Sequence, residues 1–346
     1  MEITHVQRPI AVSGLEDVPA PSTDAARPQG MLGRCPAAAQ TPLVDAPALA
    51  QSAGVGAVWV KDERGRMGLG SFKALGAAYV VASDAAEGRA AGRTYVTASA
   101  GNHGLSVAAG AAAFGARAVV YIAETVPEAF AARLAGQGAQ VIRSGATYEA
   151  SMAAAEDAAK ANGWTLLSDS SWAGYLEAPH RLIEGYLVLI AEAIGQVPQV
   201  PSHVFVQAGV GGMAAAVAAM VRRAWGDGLR VIVVEPAFAP ALQASIAAGA
   251  PVQTSGPVSE MGRLDCKMAS LIALKGLARD ADDYALITEG EAAAGVAQAR
   301  DAGLASTPSG AAGIAALLAL SATQKQRLDL DAGARVLCIL SEQPDA

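Results

Sequence analysis

The sequence predicts an α/β protein built on parallel sheets with helices on both faces, and three observations carry that prediction. Short β-branched runs alternate with Ala-rich stretches of helical length along most of the chain. Strands separated by helices need crossover connections, so they pair in parallel. Glycines and small polar residues punctuate the strand-to-helix turns, where α/β proteins carry their chemistry. Hydrophobic residues make up 52% of the 346 and charged ones 16%, the balance of a chain with a large buried core in one or two domains.

In chain order, the first forty residues hold Pro9, Pro19, Pro21, Pro28 and Pro36 with little periodicity and are expected to form an irregular lead-in. AVWVKDE from Ala57 reads as a strand, and SFKALGAAYVVASDAA from Ser71 as a helix. RTYVTAS, ARAVVYIAE, AQVIRSG and WTLLSDS follow as strands, separated by GNHGLSVAAGAAAFG, VPEAFAARLAGQG and YEASMAAAEDAAKANG as helices. The pattern resumes with the strand HVFVQA, the helix GGMAAAVAAMVRRAWG and the strand RVIVVEP. A long helical segment then leads to the strand RVLCILSE. Composition marks no domain boundary, and no repeat of solenoid period is visible.

Several function classes are excluded early. With 25 basic against 32 acidic side chains the formal net charge is −7, the wrong sign for an electrostatic nucleic-acid binder. Cys35, Cys266 and Cys338 are widely spaced and odd in number, so neither a disulfide framework nor a zinc site is expected, and a reducing cytoplasm is the expected home. The N-terminal MEITHVQRPIAV has no basic stretch followed by an apolar one, so no secretory signal is expected. The apolar stretches Gly104 to Ala123 and Val204 to Val221 are Ala/Gly-rich, and each reads as one strand plus one helix instead of a membrane span.

Three segments can carry chemistry. In QAGVGGMA, Gly209, Val210, Gly211, Gly212 and Met213 lie between an apolar strand and an Ala-rich helix; glycines there let backbone N–H groups approach a phosphate at a helix N-terminus. The same stretch matches G-x-G-x-x-A, with Glu235 closing the next strand where a dinucleotide fold would meet a ribose, so an NAD-binding dehydrogenase is a rival reading. In GLGSFKALG, Lys73 follows Phe72 at the start of an apolar helix. A buried lysine there suits imine chemistry with an aldehyde cofactor, whereas a snorkelling lysine is the bland alternative. In TASAGNHG, Ser99, Ala100, Gly101, Asn102 and His103 form a small polar turn that can receive a carboxylate or simply cap the following helix.

The three segments, in this order, resemble the pyridoxal-phosphate enzymes of fold type II, relatives of the threonine and serine dehydratases and of the tryptophan synthase β chain. Within them, KDERGRMGLGSFKALG, SDSSWAGY, QAGVGGMA and the final ILSE are similar to stretches of the diaminopropionate ammonia-lyases. The resemblance implies two doubly wound α/β domains, a larger one from residues 1–92 and 167–346 and a smaller inserted one from 93–166, with pyridoxal phosphate in the cleft between them. It also implies a homodimer acting on a small amino acid by α,β-elimination, with a hydroxy-amino-acid dehydratase as the alternative.

By the same resemblance Lys73 bonds the cofactor, with Phe72 beside it, and Asn102 touches the ring oxygen. Gly209, Val210, Gly211, Gly212 and Met213 hold the phosphate, and Ser341 faces the pyridine nitrogen. Ser99, Ala100, Gly101 and His103 take the substrate, and Asp169 is the second acid/base residue. No metal is implied. Three departures stand out. Ala100 replaces an aspartate that the resemblance associates with the D-isomer. Arg263 and Lys267 are extra cations that are either solvated or available to a second substrate carboxylate. Thr307-Pro308-Ser309-Gly310 is closer to a D-serine dehydratase pattern.

Overall fold

The computed structural model describes residues 1–345. Eleven strands form two sheets: β1 (Glu2–His5), β2 (Leu43–Asp45), β3 (Ala57–Asp62), β4 (Thr94–Ala98), β5 (Arg117–Ile122), β6 (Ala139–Arg143), β7 (Thr165–Leu166), β8 (His203–Gln207), β9 (Arg230–Pro236), β10 (Asp283–Ile287) and β11 (Arg335–Leu340). The larger sheet runs β1-β10-β9-β8-β11-β3-β2 and the smaller β6-β5-β4-β7. The smaller sheet is parallel throughout, and in the larger only the edge strands β1 and β2 run antiparallel to their neighbours.

The interior strands β4, β8 and β10 are buried along their whole length, as parallel strands covered on both faces must be. Two cores, one on each face of the larger sheet, account for most of the buried side chains. One is rich in alanine from the helix Gly212–Trp225, which lets that helix pack close against Glu177–Gln196 and Leu271–Asp280.

The structure corrects the element reading in two places. The N-terminal forty residues are not wholly irregular: β1 adds an edge strand, pairing Glu2 with Leu286, and Ala26–Leu32 is a helix. The long helical segment after RVIVVEP contains β10, an interior strand between β1 and β9. Runs of four or five residues are too short to show a period of two, so their neighbours decide them. The two apolar stretches each split into helix and strand, and among the described residues no helix is long and apolar enough to cross a membrane.

Candidate active site

The helix Lys73–Ala86 begins directly after the turn Glu63–Gly68 and the bridge that pairs Ser71 with Glu342. Phe72 N donates to Ser341 O at 3.1 Å, so β11 fixes the backbone on which Lys73 stands. The Phe72 ring meets Tyr186 edge-on, centroids 5.0 Å apart, and Lys73 Nζ lies 5.2 Å from the Phe72 centroid and 5.9 Å from that of Tyr186. Lys73 Nζ donates to Asp169 Oδ2.

Asp169 is carried by a loop pinned on both sides. Tyr175 Oη accepts from Ser168 N and donates to Leu166 O, each at 3.0 Å, while Ser171 Oγ and Ser270 Oγ are 2.7 Å apart. Burial alone would lower the Lys73 ammonium, but Asp169 more than reverses this and holds it above the ordinary lysine range. Burial would likewise raise the Asp169 carboxyl, and Lys73 overrides it, keeping that group below the usual carboxylate range. The two form one ionised pair.

The turn from Ser99 to His103 leads β4 into the helix Asn102–Ala113. Ser99, Ala100, Gly101 and Asn102 are half-buried, while His103 packs inward, Nε2 at 2.8 Å from Leu167 O. Its Nδ1 is buried without a hydrogen-bond partner among the described residues, and burial pushes the imidazole below its ordinary value. That contact makes Nε2 the protonated nitrogen and leaves Nδ1 an acceptor. Asn102 Nδ2 donates to Glu342 Oε2 at 2.6 Å.

Beyond β8, Gly211 has φ +98°, and a Cβ there would lie 2.9 Å from Ala273 Cβ and 3.0 Å from Leu242 Cδ1. Only glycine meets both the angle and the space. The helix Gly212–Trp225 that follows has no capping side chain, and the amides of Gly211, Gly212, Met213 and Ala214 find no acceptor among the described residues. Gly209 and Val210 precede them, and Cys266 Sγ would lie 3.0 Å from a Cβ on Gly209. Burial pushes the Cys266 thiol up to about 12, so it is a neutral wall of the cradle. Ser341 is buried at the end of β11, and its carbonyl accepts from Phe72 N.

A family model described as pyridoxal-phosphate-dependent enzyme matches residues 35–342. The chain belongs to that family. The diaminopropionate ammonia-lyase of Salmonella typhimurium is 32% identical over 349 residues, covering 89% of this chain and 86% of that protein. A structure of the Escherichia coli diaminopropionate ammonia-lyase, in complex with an aminoacrylate–PLP azomethine reaction intermediate, superposes with a TM-score of 0.87 at 27% identity, covering 99% of this chain and 93% of that one. The L-threonine dehydratase of Haemophilus influenzae is 32% identical over 195 residues, 56% of this chain and 36% of that protein. These matches show the fold of this pyridoxal-phosphate enzyme to be type II.

The residues present fit pyridoxal phosphate: an amine for its aldehyde at Lys73, and unpaired amides at an uncapped helix N-terminus for its phosphate. A hydroxyl and an amide lie close to Lys73 along the chain contacts: Ser341, whose carbonyl accepts from Phe72 N, and Asn102, which is hydrogen-bonded to the next residue, Glu342. The dinucleotide reading falls. Glu235 is fully buried and accepts from Leu242 N and Gln243 N, both at 2.8 Å, so it is turned onto the first turn of the helix Ala241–Ala248 and is closed to a ribose. Burial pushes its carboxyl up to about 8.

The two extra cations serve the chain itself. Lys267 Nζ donates to Phe238 O, Pro257 O and Asp265 Oδ1, and Arg263 pairs with Glu342 and Asp345. All three cysteines are free thiols. Among the described residues, no group of three or more His, Cys, Asp or Glu side chains comes together as a metal site would need. Sequence reading missed Tyr186 and Glu342. Tyr186 lies inside an unmarked helix, and only the ending ILSE hinted at Glu342.

Proposed function

We propose that this enzyme catalyses α,β-elimination on 2,3-diaminopropionate, with preference for the L-isomer, releasing ammonia and a 2-keto acid. The observation that carries the reading is the Lys73–Asp169 ion pair, together with the open amides of Gly211–Ala214 at an uncapped helix start. The substrate comes from the relatives, which share about a third of their residues with this chain over most of its length.

When bound, pyridoxal phosphate supplies the electron sink that acidifies the α-hydrogen of an attached amino acid. Lys73 Nζ would anchor the cofactor, the Gly211–Ala214 amides would hold its phosphate, and Asn102 and Ser341 would meet its ring oxygen and ring nitrogen. Ser341 would meet that nitrogen as an uncharged partner. Ser99, Ala100, Gly101 and the inward-packed His103 shape the seat of the substrate carboxylate. Asp169 Oδ2, or Lys73 Nζ when it is a neutral amine, would take the proton from Cα, and the hydrogen bond between them would pass it from one to the other. The departing β-amine leaves with a proton from the same pair.

Asp169 is present and Ala100 carries no carboxylate, which supports L over D. The two sheets support a division into a larger part, 1–92 and 167–346, and a smaller inserted part, 93–166, with Lys73, Asp169 and the glycine loop from the first and Ser99 to His103 from the second. A cytoplasmic homodimer is the setting the resemblance implies, and sedimentation tests the dimer.

The test is keto-acid release by the loaded protein from L- and D-2,3-diaminopropionate, L-threonine and L-3-hydroxyaspartate, alongside its absorption spectrum. The expected result is a cofactor absorption band that Lys73→Ala abolishes, with keto acid fastest from the L-diamine. Faster release from a hydroxy-amino acid would overturn the substrate in favour of a dehydratase. Ala100→Asp is expected to gain activity on the D-isomer.

A further inference from the structure

Glu342 follows Ser341 and is buried, yet its carboxylate has partners from three separate segments. Asn102 Nδ2 donates to Oε2 at 2.6 Å, Arg263 Nη1 donates to Oε1 at 3.0 Å, and Thr307 Oγ1 donates to the same Oε1. Its own carbonyl accepts from Ser306 Oγ at 2.5 Å, and its backbone bridges to Ser71, two residues before Lys73. A Cβ on Gly310 would come within 2.7 Å of Glu342 Cγ, so the Thr307–Gly310 turn is shaped to receive this side chain. Asn102 and Arg263 line one opening of about 100 Å³ at the edge of the cleft.

An ionised carboxylate can only accept hydrogen bonds. It therefore fixes which way the Asn102 amide faces: one N–H of Nδ2 is held by Glu342, and the second N–H of the same nitrogen stays a donor. From this convergence we infer that Glu342 is a positioning residue that orients Asn102 as a hydrogen-bond donor to the cofactor's ring oxygen, with Arg263 as its counter-charge. The inference rests on the proposed contact of Asn102 with that oxygen. Burial pushes the Glu342 carboxyl above its ordinary value and Arg263 opposes this, consistent with an arginine placed to keep the group ionised. Arg263 is thereby accounted for without a second carboxylate on the substrate.

The experiment compares wild type, Asn102→Ala, Glu342→Gln, the double variant and Thr307→Val, each titrated with pyridoxal phosphate. The readouts are the dissociation constant, the pH midpoint of the cofactor absorption band, and the thermal midpoint. Glutamine can offer an N–H in place of a lone pair, so the Asn102 amide is free to turn over. Glu342→Gln is expected to weaken cofactor binding about tenfold, the loss of one charge-assisted hydrogen bond. It is also expected to move the band's pH midpoint in the same direction as Asn102→Ala, and the double variant to go no further than Asn102→Ala alone. Thr307→Val is expected to lower the thermal midpoint and leave the band unmoved. Should Glu342→Gln not fold, Glu342→Asp, which keeps the charge but withdraws it from Asn102, carries the same comparison.

An Asn102→Ala variant with a wild-type band would overturn the Asn102 contact, and this inference with it. A band moved by Asn102→Ala but not by the Glu342 variants, or an additive double variant, would overturn the role of Glu342 alone.

Discussion

Replacing Glu192 by glutamine tests what holds the turn that delivers Lys73. Lys61, Glu63 and Arg66 have fully buried side chains, and Glu192 is 9% exposed. Lys61 Nζ donates to Glu192 Oε2 at 2.6 Å, and Arg66 donates to both Glu192 oxygens at 3.0 and 2.7 Å and to both Glu63 oxygens at 2.8 Å. Two cations thus balance two carboxylates. Glu192→Gln keeps the volume and one acceptor but loses about two of the three charge-assisted bonds, each worth about 1.5–3 kcal/mol, and leaves one buried positive charge uncompensated. Breaking such a cluster costs about 3–5 kcal/mol. At about 2 cal/mol/K of unfolding entropy per residue, a chain of 346 residues shifts about 1.4 °C per kcal/mol. The expected fall in Tm is therefore about 4–7 °C by calorimetry. Adding Lys61→Met restores charge balance, so the double variant is expected to recover at least half of the loss. A single variant within about 1 °C of the parent, or a double variant whose losses simply add, would refute the view that charge balance holds this turn.

Asp169→Asn is expected to keep the cofactor band while kcat falls about 10²–10⁴-fold; because the carboxylate is what holds the Lys73 ammonium up, amine-reactive labelling of the cofactor-free protein should begin at lower pH. Gly211→Ala places a methyl group 2.9 Å from Ala273 Cβ at φ +98°, which is expected to cost about 1–3 kcal/mol of stability and to weaken cofactor binding, read by equilibrium dialysis. Glu235 titrates at about 8 in the folded chain against an ordinary value of 4.5, so the folded state binds the extra proton between those values and stability falls as pH rises through that window. Glu235→Gln, although less stable because it loses an acceptor, is expected to show a flatter decline of Tm with pH across the same window.

What the sequence determines by itself is what short-range spacing can encode. The alternation of β-branched and Ala-rich runs predicts parallel α/β layers; the Ser99–His103 turn and the Gly209–Met213 loop stand out because each sits at a strand-to-helix junction, and Lys73 because it opens an apolar helix. Asp169 and Ser341 enter only through resemblance, since nothing in their neighbours marks them. The contacts that complete the site lie far apart along the chain: Lys73 and Asp169 are separated by 96 positions, Asn102 and Glu342 by 240. Their meeting depends on the order in which strands enter the two sheets, and local propensity does not specify that order. The same physics explains β1, a four-residue edge strand defined by its partner β10. It also explains Glu235, which from its position suggests a ribose contact and in the fold is turned onto the first turn of a helix. Only the tertiary structure decided which charges are spent on the chain itself, because a buried carboxylate or guanidinium takes whatever partner the packing brings within reach.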